Sequence, residues 1–375
     1  MTVFPDIGLY VHIPFCQHRC HFCAFYLEIA HVDRMARFSS AFRHEVRLQS
    51  GENPLHGRML QSIYFGGGTP TALPPDQLVS LLRLVHTTWP TSPTAEITVE
   101  AHPSSVTREG LTILAEGGFT RISFGAESMR EQDFLPIGRH GQVQETATAV
   151  QAAREAGFVN INLDLMYGLP GQSLQGWQHT LELILALHPS HVSCYALTIE
   201  DGTKLAQDIA QHRVQPVDDG LQLDMESLTA ELLTQAGLVQ YEISNYAKPA
   251  WHSRHNLLYW TGGEYLGLGP SAQSYVNGAR FGNVADLDHY VACLHENRLP
   301  TTDCTRLSRS ERERDALVFG LRLLRGVPLD AITGAGRNSE IDHLIATGFL
   351  NTDRERLWLT PLGRRYADSV AERLF

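Results

Sequence analysis

Three cysteines lie within eight residues near the start of the sequence, at Cys16, Cys20 and Cys23. They follow an apolar run at 8–13 that predicts a strand, so all three thiols are expected on one tight loop. Thiolates at this spacing suit three irons of a [4Fe-4S] cluster, whose fourth iron then has no protein ligand. A structural zinc site with three cysteines and one histidine is the alternative. Three histidines are close enough in sequence to complete that set: His12, His18 and His21.

The remaining cysteines are scattered among apolar or loop-like sequence, at Cys194, Cys293 and Cys304. A free cysteine commonly behaves as a small buried hydrophobic residue. We therefore predict that these three thiols are inert and that any cluster depends on the first three cysteines alone.

Three further motifs follow in order, each after a predicted strand. They are Gly-Gly-Gly-Thr-Pro at 66–70, Val-Glu at 99–100 and Asp-Leu-Met-Tyr-Gly-Leu-Pro at 164–170. With the Cys-x3-Cys-x2-Cys spacing and the aromatic Phe22 before the third cysteine, these motifs make the chain resemble the radical S-adenosylmethionine (SAM) enzymes. The resemblance implies a [4Fe-4S] cluster that binds SAM through its open iron.

The resemblance also implies a set of residues around SAM. A glycine run lets the backbone approach a charged ligand closely, so Gly67, Gly68 and Thr69 are expected at the SAM amino group. Glu100 and Asp164 are expected to accept hydrogen bonds from the ammonium or the ribose hydroxyls. A turn without a ligand and solvated charged side chains are the alternative interpretations. The expected set is completed by Tyr10, Phe22 as the adenine contact, Glu127, Arg139 at the SAM carboxylate, and Ala196.

Over most of its length the sequence resembles the oxygen-independent coproporphyrinogen oxidase group. The true oxidases carry a fourth cysteine two residues after the third, where this chain has Phe25. A heme-chaperone branch of the group has phenylalanine there and carries a His-Asn-x-x-Tyr-Trp motif, which this chain matches at 255–260. The heme-chaperone branch is therefore the closer resemblance.

The histidine motif predicts a contact with heme. An imidazole can supply an axial nitrogen, while Tyr259 and Trp260 offer flat apolar faces to a porphyrin. We expect His255 to be the ligand and to lie on a flexible loop; His252 is an alternative ligand, and a histidine without any ligand is the other interpretation. Gln273 stands where related sequences often have histidine, so a second potential heme ligand is missing.

Glu127 also departs from the resemblance, because related proteins usually have glutamine at this position. A neutral contact to SAM would become acidic here. The role of this residue at the cofactor is therefore an open expectation.

Three functions compete on these observations. The first is a protein that binds heme and transfers it to heme-acceptor proteins, with the cluster and SAM regulating or driving the transfer. The second is a coproporphyrinogen-oxidase-like enzyme that cleaves SAM to a 5′-deoxyadenosyl radical and removes hydrogen from propionate side chains. The third is a zinc-stabilised winged-helix binding module. The expected cofactors are a [4Fe-4S] cluster, SAM and heme.

The composition limits the partners. The formal net charge of −11 argues against nucleic-acid binding, which usually leaves a basic surplus on at least one face. No apolar run approaches the ~20 residues that cross a bilayer, and no export signal is recognised, so we expect a soluble, cytoplasmic protein. Transient membrane association and a homodimer are further expectations.

The elements that must position these residues alternate between short apolar runs and amphipathic stretches, as is typical of βα units. Strands are predicted at 8–13, 62–65, 96–100, 121–124, 160–165 and 192–196. Helices are predicted at 34–47, 75–85, 108–116, 144–156 and 174–187. The α/β pattern indicates a partial (β/α)6, TIM-like radical SAM barrel, in which functional residues gather at the carboxyl ends of the strands.

Beyond residue 200 the alternation weakens. A helix is predicted at 220–236, a strand at 240–243 and an aromatic-rich loop at 244–274. Helices at 310–324, at 339–347 and from 361, with a strand pair at 349–351 and 356–359, predict a small C-terminal winged-helix-like α/β domain. The predicted domains are the radical SAM core at 1–200, an extension with the heme-binding loop at 201–305 and the winged-helix-like domain at 306–375.

Overall fold

A computed structural model of the chain describes residues 7–52, 54–55, 57–329 and 338–374. The strands are β1 Ile7–Ile13, β2 Phe15–Cys16, β3 Glu28–Ile29, β4 Leu60–Gly67, β5 Thr91–Ala101, β6 Arg121–Glu127, β7 Asn160–Tyr167, β8 His191–Ala196, β9 Val239–Gln240, β10 Asn245–Ala247, β11 Glu264–Leu268, β12 Gln273–Val276, β13 Ala279–Asn283, β14 Thr301–Arg306, β15 Val327–Pro328, β16 Leu350–Thr352 and β17 Arg356–Leu359. The helices are α1 Val32–Glu52, α2 Pro75–Thr88, α3 Arg108–Glu116, α4 Glu131–Phe134, α5 Val143–Glu155, α6 Leu174–Ala186, α7 Lys204–Ala210, α8 Asp219–Gln235, α9 Arg254–Trp260, α10 Leu287–His295, α11 Arg309–Gly320, α12 Asn338–Ala346, α13 Pro361–Arg365 and α14 Ala367–Leu374.

The predicted α/β architecture is confirmed. Six parallel strands stand side by side in the order β1-β4-β5-β6-β7-β8, each joined to the next through at least one helix. Strand β1 is buried along nearly its whole length, as expected for a strand with elements packed on both faces. The six predicted strands and five predicted helices of this region all form, with ends that differ by a few residues.

The segment 244–274, predicted as a loop, contains regular structure, so that prediction is wrong. Strand β10 pairs with β8, and β11 pairs in parallel with β1 on the other side of the six strands. In the sequence, helix α9 lies between β10 and β11. Its first turn is capped by the Ser253 hydroxyl, which accepts from Asn256 N at 3.4 Å. Together with β9 and the antiparallel strands β12 to β14, the described sheet has twelve strands.

A buried carboxylate anchors the later elements to the first helix. Glu45 of α1 accepts hydrogen bonds from Gly269 N at 2.8 Å, from Asn283 Nδ2 at 2.5 Å and from Tyr290 OH at 2.6 Å. These donors lie after β11, at the end of β13 and on α10. One side chain therefore joins three later segments to the core.

The C-terminal segment has its own small core, in which Leu317, Leu344, Leu357 and Leu374 are buried. A three-stranded sheet in the order β15-β17-β16 packs with helices α11, α12 and α14. The predicted hairpin is present, whereas the predicted last helix is divided into α13 and α14. Within the described ranges, no helix has the length and apolar character needed to cross a membrane.

Candidate functional site

The three clustered cysteines occupy the loop after β1, at the carboxyl end of the parallel strands. Backbone hydrogen bonds fix this loop: Glu28 N donates to Pro14 O at 2.7 Å, and His21 N donates to Ile137 O at 2.7 Å. The three thiols are free and half-buried. The loop therefore holds three potential thiolate ligands in an ordered, accessible setting.

Burial raises the pKa of all three thiols, that of Cys20 to about 11, with nearby Arg139 opposing the rise. Arg19 opposes the rise at Cys16 and Cys23. Iron must displace a proton from each thiol when it binds, because the thiolate is the ligand. Among the residues that the structure describes, no set of three or more histidine, cysteine or carboxylate side chains is gathered around one metal position, the three cysteines included.

The glycine run at the end of β4 packs directly against the cysteine loop. Gly67 has a φ of 114°, and a Cβ on Gly68 would lie 2.7 Å from Phe15 O. Thr69 N donates to Phe15 O at 2.7 Å, and the Thr69 hydroxyl lies 3.5 Å from Cys16 Sγ. The half-buried backbone of Gly67 and Gly68 therefore lies directly beside the cysteine loop, where it would border a ligand on the cluster such as SAM.

Glu100, near the end of β5, is held by two donors on β4. Tyr64 OH donates to Oε1 at 2.6 Å, and Gly67 N donates to Oε2 at 3.3 Å. Burial raises the pKa of Glu100 to about 7, and the charge of Asp164 acts in the same direction. A ligand cation at this position would favour the ionised carboxylate, which is what a SAM ammonium would supply.

Glu127 and Arg139 form a buried ion pair at the end of β6. Arg139 Nη1 lies 3.4 Å from Glu127 Oε1, and the same guanidinium donates to Gly125 O. Glu127 has a left-handed φ of 60°, which is unusual for a residue other than glycine. Burial raises its pKa to about 6, while Arg139 acts in the opposite direction. The acidic residue therefore sits beside the arginine predicted at the SAM carboxylate.

Asp164 lies on β7, directly opposite Gly125 of β6 and Ser193 of β8. Its two oxygens accept from Ser123 Oγ at 2.7 Å and from Asn162 Nδ2 at 2.9 Å. The carboxylate is fixed by neighbouring strands and is not a solvated surface charge.

The other predicted SAM contacts are placed on the same side of the fold or close to it. Ala196 is the exposed last residue of β8, and Phe22 packs beside a small buried group that includes Ile137 and Leu169. The hydroxyl of Tyr10, on β1, lies 3.2 Å from His12 Nδ1. The structure thus brings most of the predicted set to the carboxyl ends of neighbouring strands, and their contacts with SAM stay predictions.

His255 does not lie on a flexible loop, which corrects the prediction. It belongs to α9 and is 1% exposed. Its Nδ1 lies 2.8 Å from Ser62 Oγ, and its Nε2 lies 2.7 Å from Tyr259 OH. Burial lowers its pKa to about 3, with Arg121 acting in the same direction. An iron could reach a ring nitrogen only after one of these hydrogen bonds is broken. Coordination by His255 stays a prediction.

Tyr64 and Ser62 are contacts that the sequence analysis missed. Tyr64 holds Glu100, and Ser62 holds His255. The sequence does contain a pattern that indicates them. Both residues alternate with buried apolar positions along β4, and they precede Gly66 by two and four residues. Side chains at such positions share one face of the strand with Gly66.

Comparison with known proteins gives a consistent result across the chain. Residues 10–184 match the Radical SAM superfamily, and residues 307–366 match the HemN C-terminal domain. The heme chaperone HemW of Bacillus subtilis is 32% identical over 372 residues, which cover 96% of this chain and 97% of that protein. The heme chaperone HemW of Escherichia coli is 32% identical over 391 residues, covering 99% of each chain.

The solved structure of coproporphyrinogen III oxidase, HemN, from Escherichia coli has a TM-score of 0.85 to this chain. The match covers 98% of this chain and 90% of HemN, at 23% sequence identity. At that identity the likeness shows the fold, which is that of a radical SAM protein. The predicted fold class is therefore confirmed by both sequence and structure.

Proposed function

Since this chain belongs to the HemW family of radical SAM proteins, we propose that it binds heme and transfers it to heme-acceptor proteins. The observation that carries the proposal is the full-length similarity to heme chaperones, which extends from the cysteine loop to the C-terminal segment. The chain also keeps the His-Asn-x-x-Tyr-Trp motif, which forms helix α9.

The cysteine loop and the glycine run would hold the radical SAM cofactors. Cys16, Cys20 and Cys23 would bind three irons, and a bound cluster supplies one electron to SAM at its open iron. The backbone at 67–69 would position the amino group of SAM. Glu100 and Arg139 offer opposite charges to its ammonium and carboxylate groups. These roles are proposals that rest on the placement of the residues.

The enzyme alternative is a coproporphyrinogen oxidase, because the fold is that of HemN. Phe25 argues against it. This side chain is 71% exposed beside the cluster loop, at the position where the resemblance places a fourth cysteine in true oxidases. An exposed phenyl ring cannot supply a thiol, so we propose that coproporphyrinogen is not a substrate.

The partners of this function are heme and heme-acceptor proteins. We propose a cytoplasmic site of action, transient contact with a membrane where membrane-bound acceptors receive heme, and assembly as a homodimer. Flotation of the heme-loaded protein with liposomes tests membrane contact, and absence of the protein from the lipid fraction would contradict it. Light scattering tests the homodimer, and the mass of a monomer would contradict that.

The central test follows hemin from this protein to an acceptor. The anaerobically reconstituted protein should bind about one hemin per chain. It should pass this hemin to an added apo-heme protein, which is then separated on a column and examined for bound heme. A parallel assay with coproporphyrinogen III, SAM and reductant should show no conversion. Absence of hemin binding would overturn the chaperone proposal, and robust turnover of coproporphyrinogen would establish the alternative.

A further inference from the structure

Three rings in contact connect the residue that holds Glu100 with α9. The ring centre of Tyr64 lies 5.1 Å from that of His255, and the two rings are stacked at 27°. The His255 ring lies 4.9 Å from the ring of Tyr259, edge to face. Both separations fall within the roughly 4.5–7 Å of packed aromatic pairs. We call Tyr64, His255 and Tyr259 the ring column.

The far end of the ring column opens into a cavity of about 370 Å³ between α9, the strands β11 to β13 and α11. Tyr259 lines this cavity together with Tyr265, whose ring centre lies 4.5 Å from that of Tyr259. The near end is Tyr64, which donates to Glu100, a predicted acceptor of hydrogen bonds from SAM. The ring column therefore joins the predicted SAM side of the strands to the cavity.

Each tyrosine of the ring column has a base at its hydroxyl group. Tyr64 OH donates to Glu100 Oε1 at 2.6 Å, and Tyr259 OH lies 2.7 Å from His255 Nε2. When His255 Nδ1 donates to Ser62 Oγ, 2.8 Å away, Nε2 is the nitrogen that accepts from Tyr259. Burial raises the pKa of both phenols well above the ordinary value. Both tyrosines are therefore neutral, and each gives up an electron readily only when its proton is taken at the same time.

We propose that the ring column is a radical relay, which carries a one-electron oxidising equivalent from Tyr64 at the SAM side to Tyr259 at the cavity. This activity goes beyond heme transfer, and it rests on the proposed place of SAM near Glu100 rather than on heme binding. An electron-rich molecule in the cavity would be oxidised there by one electron without any contact with SAM.

The steps of the relay balance in atoms and electrons. When the cofactors are bound, reductive cleavage of SAM, with its electron from a low-potential one-electron donor, supplies an acceptor for a hydrogen atom. The Tyr64 O–H bond breaks, a C–H bond of 5′-deoxyadenosine forms, and Tyr64 is left as a phenoxyl radical. An electron then passes from Tyr259 to Tyr64 through the His255 ring. The Tyr259 proton moves to His255 Nε2, and Glu100 gives a proton to the Tyr64 oxygen.

The acid–base properties of Glu100 and His255 fit these two proton steps. Burial raises the pKa of Glu100 to about 7, so near neutral pH its protonated form is available to give a proton to Tyr64. Burial lowers the pKa of His255 to about 3, so its ring starts neutral and can accept a proton. Such an imidazole is a weak base, but an oxidised phenol is a very strong acid. The proton therefore moves along the hydrogen bond and returns when Tyr259 is reduced again.

The isotope content of 5′-deoxyadenosine tests the first step. Phenol protons exchange with solvent, whereas carbon-bound hydrogens do not. The reconstituted protein, given SAM and a limiting amount of a photoreduced flavin in heavy water, should form 5′-deoxyadenosine that carries deuterium. Tyr64→Phe should form product without deuterium, whereas Tyr195→Phe, the same change on β8, should keep it. Wild-type product without deuterium would overturn the relay.

Electron paramagnetic resonance of samples frozen soon after reduction tests the transfer to Tyr259. Wild type should show a tyrosyl signal that narrows when the protein contains ring-deuterated tyrosine. Tyr259→Phe and His255→Ala should replace its line shape by that of a second tyrosyl radical, at Tyr64. Tyr64→Phe should abolish both signals, whereas Tyr275→Phe, elsewhere in the cavity wall, should keep the wild-type signal. A wild-type line shape that survives Tyr259→Phe would overturn the relay.

Hemin binding separates this inference from the proposed function. A wild-type protein that binds and transfers hemin but forms no tyrosyl radical, or cleaves no SAM, would refute the relay alone. A tyrosyl radical with the expected response to the variants, in a protein that binds no hemin, would support the relay and overturn the chaperone proposal.

Discussion

Replacing Gly68 by alanine adds only one methyl group, but it should displace the backbone of the cysteine loop. The new Cβ would lie 2.7 Å from Phe15 O and 3.0 Å from Phe15 C. Both are backbone atoms, so no side-chain rotation can relieve the contact. Because Phe15 directly precedes Cys16, any shift of this backbone moves the first cluster ligand.

The magnitude follows from the distances. An ordinary contact of a Cβ starts at 3.4 Å, so the two segments must separate by up to about 0.7 Å, the difference between 3.4 and 2.7 Å. The hydrogen bonds from Gly68 N to Ile13 O at 2.9 Å and from Thr69 N to Phe15 O at 2.7 Å resist this movement. Overpacking of this kind costs roughly 1–3 kcal/mol, and metal sites tolerate only about 0.5 Å of displacement.

We expect Gly68→Ala to lower the free energy of unfolding by about 1–3 kcal/mol and to reduce bound iron, sulfide and SAM. Chemical denaturation, metal analysis after anaerobic reconstitution and equilibrium dialysis measure these quantities. Gly51→Ala is the matched control, since nothing lies within 4 Å of the added Cβ and α1 favours alanine. Wild-type cluster content and stability in Gly68→Ala would refute the close-approach argument.

Three other changes test separate parts of the structure. Cys16→Ala should lose the iron–sulfur absorbance, while Cys293→Ala, at a buried position outside the loop, should retain it; equal loss in both would contradict the three-thiol assignment. Glu127→Gln should remove a fall in SAM affinity that the wild type shows as pH rises through about 6, because the carboxyl that ionises there competes with the SAM carboxylate for Arg139; equilibrium dialysis at several pH values checks this, and an unchanged profile near pH 6 would contradict it. The folded pKa of Glu45 is raised to about 7 from 4.5, so the folded state binds more protons and wild-type stability should fall as pH rises through this window. The difference in the free energy of unfolding between wild type and Glu45→Gln should change by up to about 3 kcal/mol against the wild type between pH 4.5 and 8. Denaturant titration at several pH values measures this difference.

The sequence predicts the six central strands because their buried runs are long and bounded by clear turn residues. It does not predict β11 and α9. Each is too short for its periodicity to be recognised, at five and seven residues, and β11 contains a glycine, which weakens the pattern of a strand. Their structure depends on partners far away in sequence, namely β1 for β11 and the Ser62 hydroxyl for His255.

The cluster cysteines were accessible to sequence analysis because all three lie within eight residues, and the motifs at 66–70, 99–100 and 164–170 then favoured an iron–sulfur cluster over zinc. The cavity between α9, the strands β11 to β13 and α11 was not accessible in the same way. Its wall joins Tyr10 of the first strand to Phe319 of α11, and only the folded chain brings them together. His255 is the intermediate case, since the motif was recognisable in the sequence, whereas the helix that carries it and the burial of its ring were not.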